Sequence, residues 1–447
     1  MKNKIIYAIG WVLLLIVSGC SDWLSVSPRT EKPTEQLFET QNGFRDALTG
    51  AYIEMMSDKS YGEYLTMSKI EYLVDFWDPE KGSGEEALTL HRYSDAQAVT
   101  MIDALYEQQY KVILAVNAIL EYVDLRQAIF DPGAYEAVKG ECLALRAMCH
   151  LDILRLFGPV PAEATSVPIL PYVETVTKEL HRHVNFDGYK ARLIADLENA
   201  EGLLKQHLEK QSEIEEDYFK YRTIRMNYYA VKALKARVYL WADNKAEAYR
   251  EAKAVTAVQE QWFPWTERRE IMDNTRNPDR IFSSELLFAA YYNAREEIFT
   301  NYFSPTLEPA QVYSPKKHID DLFTWDLLDW RNRPIWLEGT TRDYRCFHKY
   351  EDVSSTEVWT KLIPLIRMTE MYYIIAETAT DETEALDALN TVLFNRGVKE
   401  LEDKTQLAGM LRDEYRREFF GEGQLFFYYK RLRVSKKAKY PLVESDI

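Results

Sequence analysis

Glycine and proline are scarce in this sequence, with 17 and 16 residues respectively among 447. Together they fall well below the roughly 12% of residues that average usage gives. Sandwiches and barrels need frequent turns, and glycine and proline are the residues that build such turns. Their scarcity argues against a turn-dense β fold and favours helices.

Cysteine is also rare, with four residues in the chain. Cys142 and Cys149 lie in a strongly helical stretch, where their spacing corresponds to about 10 Å along a helix axis, beyond the reach of a disulfide. We expect both to pack as small apolar side chains, and Cys346 stands alone. Stability must then come from a hydrophobic core and not from a disulfide framework.

The commonest catalytic signatures are missing, since the chain contains no HExxH, CxxC, GxxxxGK or GxSxG. These motifs mark zinc hydrolases, redox pairs, phosphate-binding loops and serine hydrolases. His181 and His183 form the only close histidine pair, and without an acidic or cysteine ligand at a suitable spacing we interpret them as loop residues. The sequence therefore predicts no cofactor, no metal, no catalytic residue and no enzyme. A glycosidase pair among the 71 acidic residues stays open as an alternative.

Positive charge is in deficit, and the formal net charge is −16. It becomes two units more negative without Lys2 and Lys4. A field of this sign repels nucleic acid and anionic lipid surfaces. We therefore expect no nucleic-acid partner.

One long apolar run is present, at 5–17, and it follows the positive residues Lys2 and Lys4. It is short for a membrane-spanning helix, which needs about 20 residues, and small residues follow it. This pattern predicts a signal peptide over 1–19. The sequence VSGC, which ends at Cys20, resembles a lipobox, so we expect Cys20 to be acylated and to anchor the protein to a membrane. The alternative is an ordinary secretory signal with an incidental cysteine.

The rest of the chain predicts an all-α fold of stacked helical hairpins. Residues 20–39 are polar and contain Pro28 and Pro33, so we interpret them as a tether, followed by a single domain over 40–447. Two hairpins of about 34 residues, with a tyrosine-rich first helix and an alanine-rich second helix, are typical of repeats like tetratricopeptide repeats. Helical hairpins are predicted over 103–157, 187–257 and 366–430, and a helix over 40–57, with the last helix at 408–430.

Two stretches lack helical periodicity, 72–97 and 258–365, and we interpret them as loop-rich, ligand-facing regions. Loops carry recognition because a scaffold positions them. An aromatic ring covers the apolar C–H face of a sugar while acidic and amide neighbours bind its hydroxyls, although any single ring is more often a core residue. The predicted ligand-binding residues are Trp77, Asp78, Tyr93, Tyr291, Tyr292, Tyr302, Trp330 and Trp336.

Seven motifs occur in a specific order and spacing. They are CSDWLSVSP at 20–28, LFETQNGFRDALTGAY at 37–52, ALRAMCHLDILRLFGPVP at 144–161, SPKKHIDDLF at 314–323, IPLIRMTEMYYIIAE at 363–377, RREFFGEGQLFF at 416–427 and YPLVESDI at 440–447. Taken together they resemble the SusD/RagB family, the lipid-anchored outer-membrane nutrient-binding proteins of Bacteroidetes-type bacteria. The family often has a basic or histidine residue and then an aspartate where this chain has Gln424, Leu425 and Tyr428. This departure is typical of a divergent branch.

The resemblance implies a helical half similar to tetratricopeptide repeats, which contacts a SusC-like TonB-dependent transporter, and a loop-rich half that holds the ligand. Family ligands include oligosaccharides and, in the RagB-like branch, peptides. The expected protein is a lipoprotein of the outer membrane that faces the cell exterior and binds an oligosaccharide or a peptide. The alternatives are a lipid-anchored surface hydrolase and a structural partner of the transporter without a ligand of its own.

Overall fold

A computed structural model gives the fold and describes residues 34–207, 222–307, 318–323, 328–338 and 345–434. The predicted signal peptide, Cys20 and most of the tether lie outside the described residues. Within the described residues, no helix has both the length and the apolar character that crossing a membrane requires.

Helices dominate the described residues, which confirms the all-α fold class. Ten of them have seven or more residues: α1 (Gln41–Met55), α2 (Ala96–Val123), α3 (Ala134–Phe157), α4 (Phe186–Leu204), α5 (Tyr228–Trp241), α6 (Lys245–Thr256), α7 (Met368–Thr378), α8 (Glu382–Phe394), α9 (Leu407–Glu418) and α10 (Leu425–Arg431). Shorter helices cover Thr34–Leu37, Lys69–Tyr72, Gly84–Thr89, Gln259–Trp262, Arg295–Ile298 and His318–Phe323.

Each helix from α1 to α8 packs against the next of these helices along the chain, so the helices form a stack in which neighbours in sequence are in contact. Asparagines begin three of them. The side-chain oxygens of Asn185, Asn227 and Asn244 accept bonds from the backbone N–H three residues later, at 2.9, 3.0 and 3.3 Å. Such caps satisfy N–H groups that the first helical turn leaves without a partner.

Helix α3 lies at the centre of the stack, since it packs against both α2 and α4 and every residue from Gly140 to Arg155 is buried. Cys142 and Cys149 are fully buried on it, and Cys346 is buried elsewhere. Cys142 and Cys149 are free thiols, as the sequence predicted.

Three antiparallel two-stranded sheets complete the described residues. Strands β1 (Leu170–Pro171) and β2 (His183–Val184) pair with each other, and β4 (Trp336–Glu338) pairs with β5 (Arg345–Phe347). Strand β3 (Leu286–Tyr291) pairs with β6 (Leu362–Arg367), which leads directly into α7. The region 258–365 therefore contains paired strands that the interpretation as loops did not predict.

Two helix boundaries differ from the prediction. Helix α2 begins at Ala96 and not at Asp103, because the Asp95 carboxylate accepts the N–H groups of Gln97 and Ala98 at 2.9 and 3.4 Å. Part of the predicted loop 72–97 is thus helical.

The predicted last helix over 408–430 is broken between α9 and α10. Gly421 and Gly423 both have φ of +71°, a left-handed backbone that glycine adopts readily. A Cβ on Gly423 would lie 1.9 Å from the Leu65 carbonyl oxygen. The backbone therefore approaches too closely for any other residue, and the helix ends.

A buried ion cluster joins α9 to the strands. Glu418 is 2% exposed, and its carboxylate accepts bonds from Arg331, Arg367 and Arg396. Arg396 also donates to the Glu285 carboxylate at 2.6 Å. Removing a charged group from water costs several kcal/mol per ion. A buried charge therefore requires partners whose attraction offsets this cost.

Candidate functional site

The segment 56–68, which follows α1, is held in a fixed position by the helices beneath it. The Tyr61 hydroxyl donates to the Asp152 carboxylate on α3 at 2.6 Å. The Gln109 amide on α2 donates to the Ser60 hydroxyl at 2.7 Å. A Cβ on Gly62 would lie 2.3 Å from the Met56 carbonyl oxygen, so the turn requires glycine. Tyr64 therefore projects from a rigid support.

A second segment, 292–303, begins where β3 ends. The Tyr292 N–H donates to the Lys361 carbonyl at 2.9 Å, beyond the last strand pair. The buried Arg295 guanidinium donates to the Leu362 carbonyl at 3.0 Å. Phe303 is 1% exposed and packs on Trp77 with ring centroids 5.3 Å apart. Both ends of the segment are thus tied to the core.

These two segments bring Tyr64, Tyr292 and Tyr302 together beside Asp58 and Glu63, a group that we call the tyrosine patch. All three rings are half-buried. Burial raises the pKa of Tyr302 and the charges of Glu63 and Asp58 add to the shift, which together bring the pKa to about 12. Burial, followed by the same two carboxylates, also raises the pKa of Tyr292. The three hydroxyls are therefore neutral hydrogen-bonding groups at neutral pH.

Glu63 is the most buried acid of the tyrosine patch, with 6% exposure. Burial raises its pKa, while the Lys69 ammonium and the Ser68 hydroxyl oppose the shift. The Lys69 ammonium lies 5.4 Å from the Tyr64 ring centroid and 2.7 Å from the Glu85 carboxylate. The patch thus combines ring faces with hydrogen-bond acceptors and one nearby cation.

Trp77 and Trp336, both predicted to bind ligand, lie in the core at 1% and 2% exposure. They belong to an aromatic cluster in which Phe347 and Phe420 contact both rings at centroid distances of 4.7–5.6 Å. A ring enclosed on all sides has no face for a ligand. This placement corrects the prediction for both residues, and Trp77 instead supports the segment that carries Tyr302.

The other predicted residues are spread over the surface. Tyr291 ends β3 and is 45% exposed; successive strand residues point to opposite faces, so it faces away from Tyr292. Trp330 is half-buried over Gly397, where a Cβ would lie 2.4 Å from the indole nitrogen. Asp78 is half-buried, and its charge acts on buried Tyr72. The structure does not bring these residues to the tyrosine patch.

Tyr93 lies apart from the tyrosine patch, in the wall of a cavity of about 990 Å³. Its ring is 46% exposed and stacks on His91 with centroids 5.6 Å apart and planes 12° from parallel. The wall is mostly apolar and is built from α2, the end of α3, α10 and the segments 69–75 and 88–93. Lys69 belongs both to this wall and to the surroundings of Tyr64.

Tyr64 is the functional candidate that the sequence analysis missed. The stretch SYGEY at 60–64 places two tyrosines around a glycine and an acid, which is a local signal for a turn that exposes rings. It lies between two helical patterns and carries no periodicity of its own. Among the described residues, no group of three or more His, Cys, Asp or Glu side chains is arranged to hold a metal ion.

Two family models match the chain. Residues 22–240 match SusD-like_3, described as "Starch-binding associating with outer membrane". Residues 329–444 match SusD_RagB, described as "SusD family". The two matches cover both the helical stack and the region that contains the ion cluster.

Curated relatives match over part of their length. SusD-like protein P2 of Formosa agariphila is 26% identical over 191 residues, which are 42% of this chain and 36% of that protein. SusD-like protein P25 of the same organism is 23% identical over 167 residues, 36% of this chain and 31% of that protein. The match thus spans only about a third of each relative.

Solved structures share the fold over most of the chain. A SusD superfamily protein from Bacteroides thetaiotaomicron has a TM-score of 0.70 at 20% identity, covering 88% of this chain and 89% of that protein. A SusD-like carbohydrate binding protein from Bacteroides vulgatus has a TM-score of 0.67 at 18% identity, with 88% and 83% coverage. With the family models and the helical stack, these findings establish that the chain belongs to the SusD/RagB family.

Proposed function

We propose that this chain is a cell-surface lipoprotein that binds an oligosaccharide at the tyrosine patch and delivers it to a SusC-like TonB-dependent outer-membrane transporter. Membership of the SusD/RagB family supports this role, because the family is associated with the outer membrane. Acylation at Cys20 and an outward-facing position are part of the proposal.

The observation that carries the proposal is the position of three half-buried tyrosines beside two carboxylates on a fixed support. Ring faces cover the C–H surface of a sugar, and carboxylate and phenol oxygens bind its hydroxyls. Because bonds to α2 and α3 fix the segment that carries Tyr64, a ligand does not have to order it. Binding energy is then not spent on ordering side chains and loops.

Calorimetric titration with a panel of neutral oligosaccharides tests the site. Tyr64→Ala, Tyr292→Ala and Tyr302→Ala should each lower affinity by about 1–3 kcal/mol, as removal of a stacking ring does at other ring-binding platforms. Tyr135→Ala is the matched control. Tyr135 is also half-buried beside a carboxylate, since its hydroxyl donates to Asp124 at 2.7 Å, but it lies at the opposite end of α3 from Asp152. Unchanged affinity in all three patch variants would refute the site.

The same titrations separate the classes of function. Binding with the ligand recovered intact supports a nutrient-binding protein, and the appearance of shortened products supports a hydrolase. Binding of peptides but not of glycans changes the ligand class. If neither glycans nor peptides bind while the transporter still co-purifies, the result supports a structural role only.

The anchor is tested separately, by mass spectrometry and membrane fractionation of the wild type and Cys20→Ala. Wild-type protein should carry acyl chains and sediment with membranes, and the variant should be released. A variant that stays on membranes, with no acyl chains on the wild type, would contradict the anchor but not the ligand site.

A further inference from the structure

The cavity that holds Tyr93 exposes apolar surface that a folded protein normally covers. Tyr93, Val99 and Phe157 in its wall are 46%, 38% and 38% exposed, and Leu90 beside it is 48% exposed. Its volume of about 990 Å³ reaches the upper end of the range of ligand pockets. Contiguous apolar surface of this kind marks an interaction site.

The described residues end in the wall of this cavity. Helix α10 ends at Arg431, Arg433 after it has a left-handed backbone with φ of +58°, and the Val434 N–H returns to the Tyr429 carbonyl at 3.0 Å. This is the hydrogen-bonded turn by which helices often end. Tyr429, Lys430, Arg433 and Val434 all line the cavity. Thirteen further residues, 435–447, continue from that wall.

The wall is fixed by an unusual cap. The Lys430 ammonium donates to the carbonyls of Arg155, Leu156 and Gly158 at 2.8, 2.8 and 2.9 Å. These groups close the C-terminal end of α3, which carries partial negative charge. Helix α10 is thus attached to the end of α3 in the wall of the cavity.

The composition of 435–447 matches the cavity. Residues 440–443 are Tyr-Pro-Leu-Val, an apolar stretch in which proline favours an extended backbone and lowers the entropy lost on ordering. Three lysines precede it. The wall carries cations as well as carboxylates, and Arg433 pairs with Glu163 at 3.4 Å, so the match is one of apolar surface. At about 3.3 Å per extended residue, six residues after Val434 reach roughly 20 Å, enough to cross a cavity of this size.

We propose that residues 435–447 fold back into this cavity and that Tyr440, Pro441, Leu442 and Val443 cover its apolar wall. The cavity is then an internal docking site and not a second ligand pocket. This inference does not depend on the oligosaccharide site, because Tyr64, Tyr292 and Tyr302 do not line the cavity.

Hydrogen exchange measured by mass spectrometry tests the proposal. A chain that ends at Val434 should exchange about tenfold faster or more than the full chain over 99–105, the part of α2 that lines the cavity, because exchange follows local opening. A synthetic peptide of residues 435–447 should restore protection. Val99→Glu, a change at a partly exposed position in the wall, should abolish this rescue.

Two variants of the full chain provide a matched pair that does not require the shortened chain to fold. Leu442→Asp places a charge in the apolar stretch and should reproduce the faster exchange over 99–105. Ser445→Asp adds the same charge three residues later and should leave exchange unchanged. Equal exchange in both variants and the wild type would overturn the proposal. So would protection of 99–105 that depends on protein concentration, since a second copy would then be the occupant.

Discussion

Glu71 is a carboxyl group in an unusual setting for an acid. It is 1% exposed, and its Oε1 accepts the Gly423 N–H at 2.8 Å. Burial raises its pKa to about 8, although the Gly423 N–H and the Lys349 ammonium oppose the shift. The folded protein therefore holds a neutral carboxylic acid at neutral pH, between the segment that follows the tyrosine patch and the break before α10.

This residue makes stability depend on pH. Between pH 4.5 and about 8 the folded state keeps the Glu71 proton and the unfolded state releases it, so the free energy of unfolding falls as pH rises, by at most about 1.4 kcal/mol per unit. Glu71→Gln cannot titrate and should gain stability relative to the wild type across this range. Urea titrations from pH 5 to 8 measure the difference, with exposed Glu121→Gln as the control. A constant difference at all pH values would contradict the assignment.

Trp77 separates a structural role from a binding role. Trp77→Ala should lower the free energy of unfolding by about 3–5 kcal/mol, because it empties the centre of the aromatic cluster, and Trp77→Phe should cost less. Any loss of ligand affinity should follow only from displacement of Phe303 and Tyr302. Chemical denaturation and titration of the same samples decide the point. If a Trp77 variant lost ligand affinity but kept the stability of the wild type, Trp77 would belong to the ligand site.

At the scale of elements, sequence periodicity was enough to find most of the long helices. Helix α1 lies within the predicted 40–57, and it begins after Thr40, whose hydroxyl accepts the Gly43 N–H at 3.1 Å. The strands β3 and β6 were missed because they are buried along almost their whole length and so lack alternation. The tyrosine patch was found only in part, since Tyr292 and Tyr302 meet Tyr64 through contacts distant in sequence.

The glycine break between α9 and α10 gives a test at this scale. Gly423→Ala should cost more than about 1 kcal/mol, because the residue has positive φ and its Cβ would overlap the Leu65 carbonyl. Gly202 in α4 is the matched control, since a Cβ there meets nothing within 4 Å. Gly202→Ala should gain up to about 1 kcal/mol. Thermal and urea denaturation measure both, and similar effects of the two changes would contradict the strained break.

For the whole molecule, buried ion pairs connect the parts of the chain that two separate family models match with each other and with the segment between them. Glu418 lies in the second matched part, and Glu285 lies between the two parts. The Arg237 guanidinium on α5 donates to Glu370 on α7 at 2.7 Å and joins the first matched part to the second. Charges buried at such junctions strongly resist separation of the parts, because each would lose its partner in a medium of low polarity.

Glu418→Gln tests this connection. Burial raises the pKa of Glu418, but the guanidiniums of Arg396, Arg367 and Arg331 outweigh it and hold the pKa well below 4.5. The contribution of Glu418 to stability is therefore fully present above pH 4.5, and it is lost as the pH falls through the pKa that Glu418 has in the folded protein. The variant should be about 3–5 kcal/mol less stable at pH 7, and the gap should narrow in acid. A gap that widens below pH 4.5 would contradict this result.

The two buried thiols on α3 have a practical consequence. Cys142 and Cys149 are buried, and burial raises the pKa of both. Only the thiolate attacks alkylating or oxidising reagents, so these side chains stay inert until the core opens. The rate at which iodoacetamide modifies them therefore records how often the folded chain opens around α3.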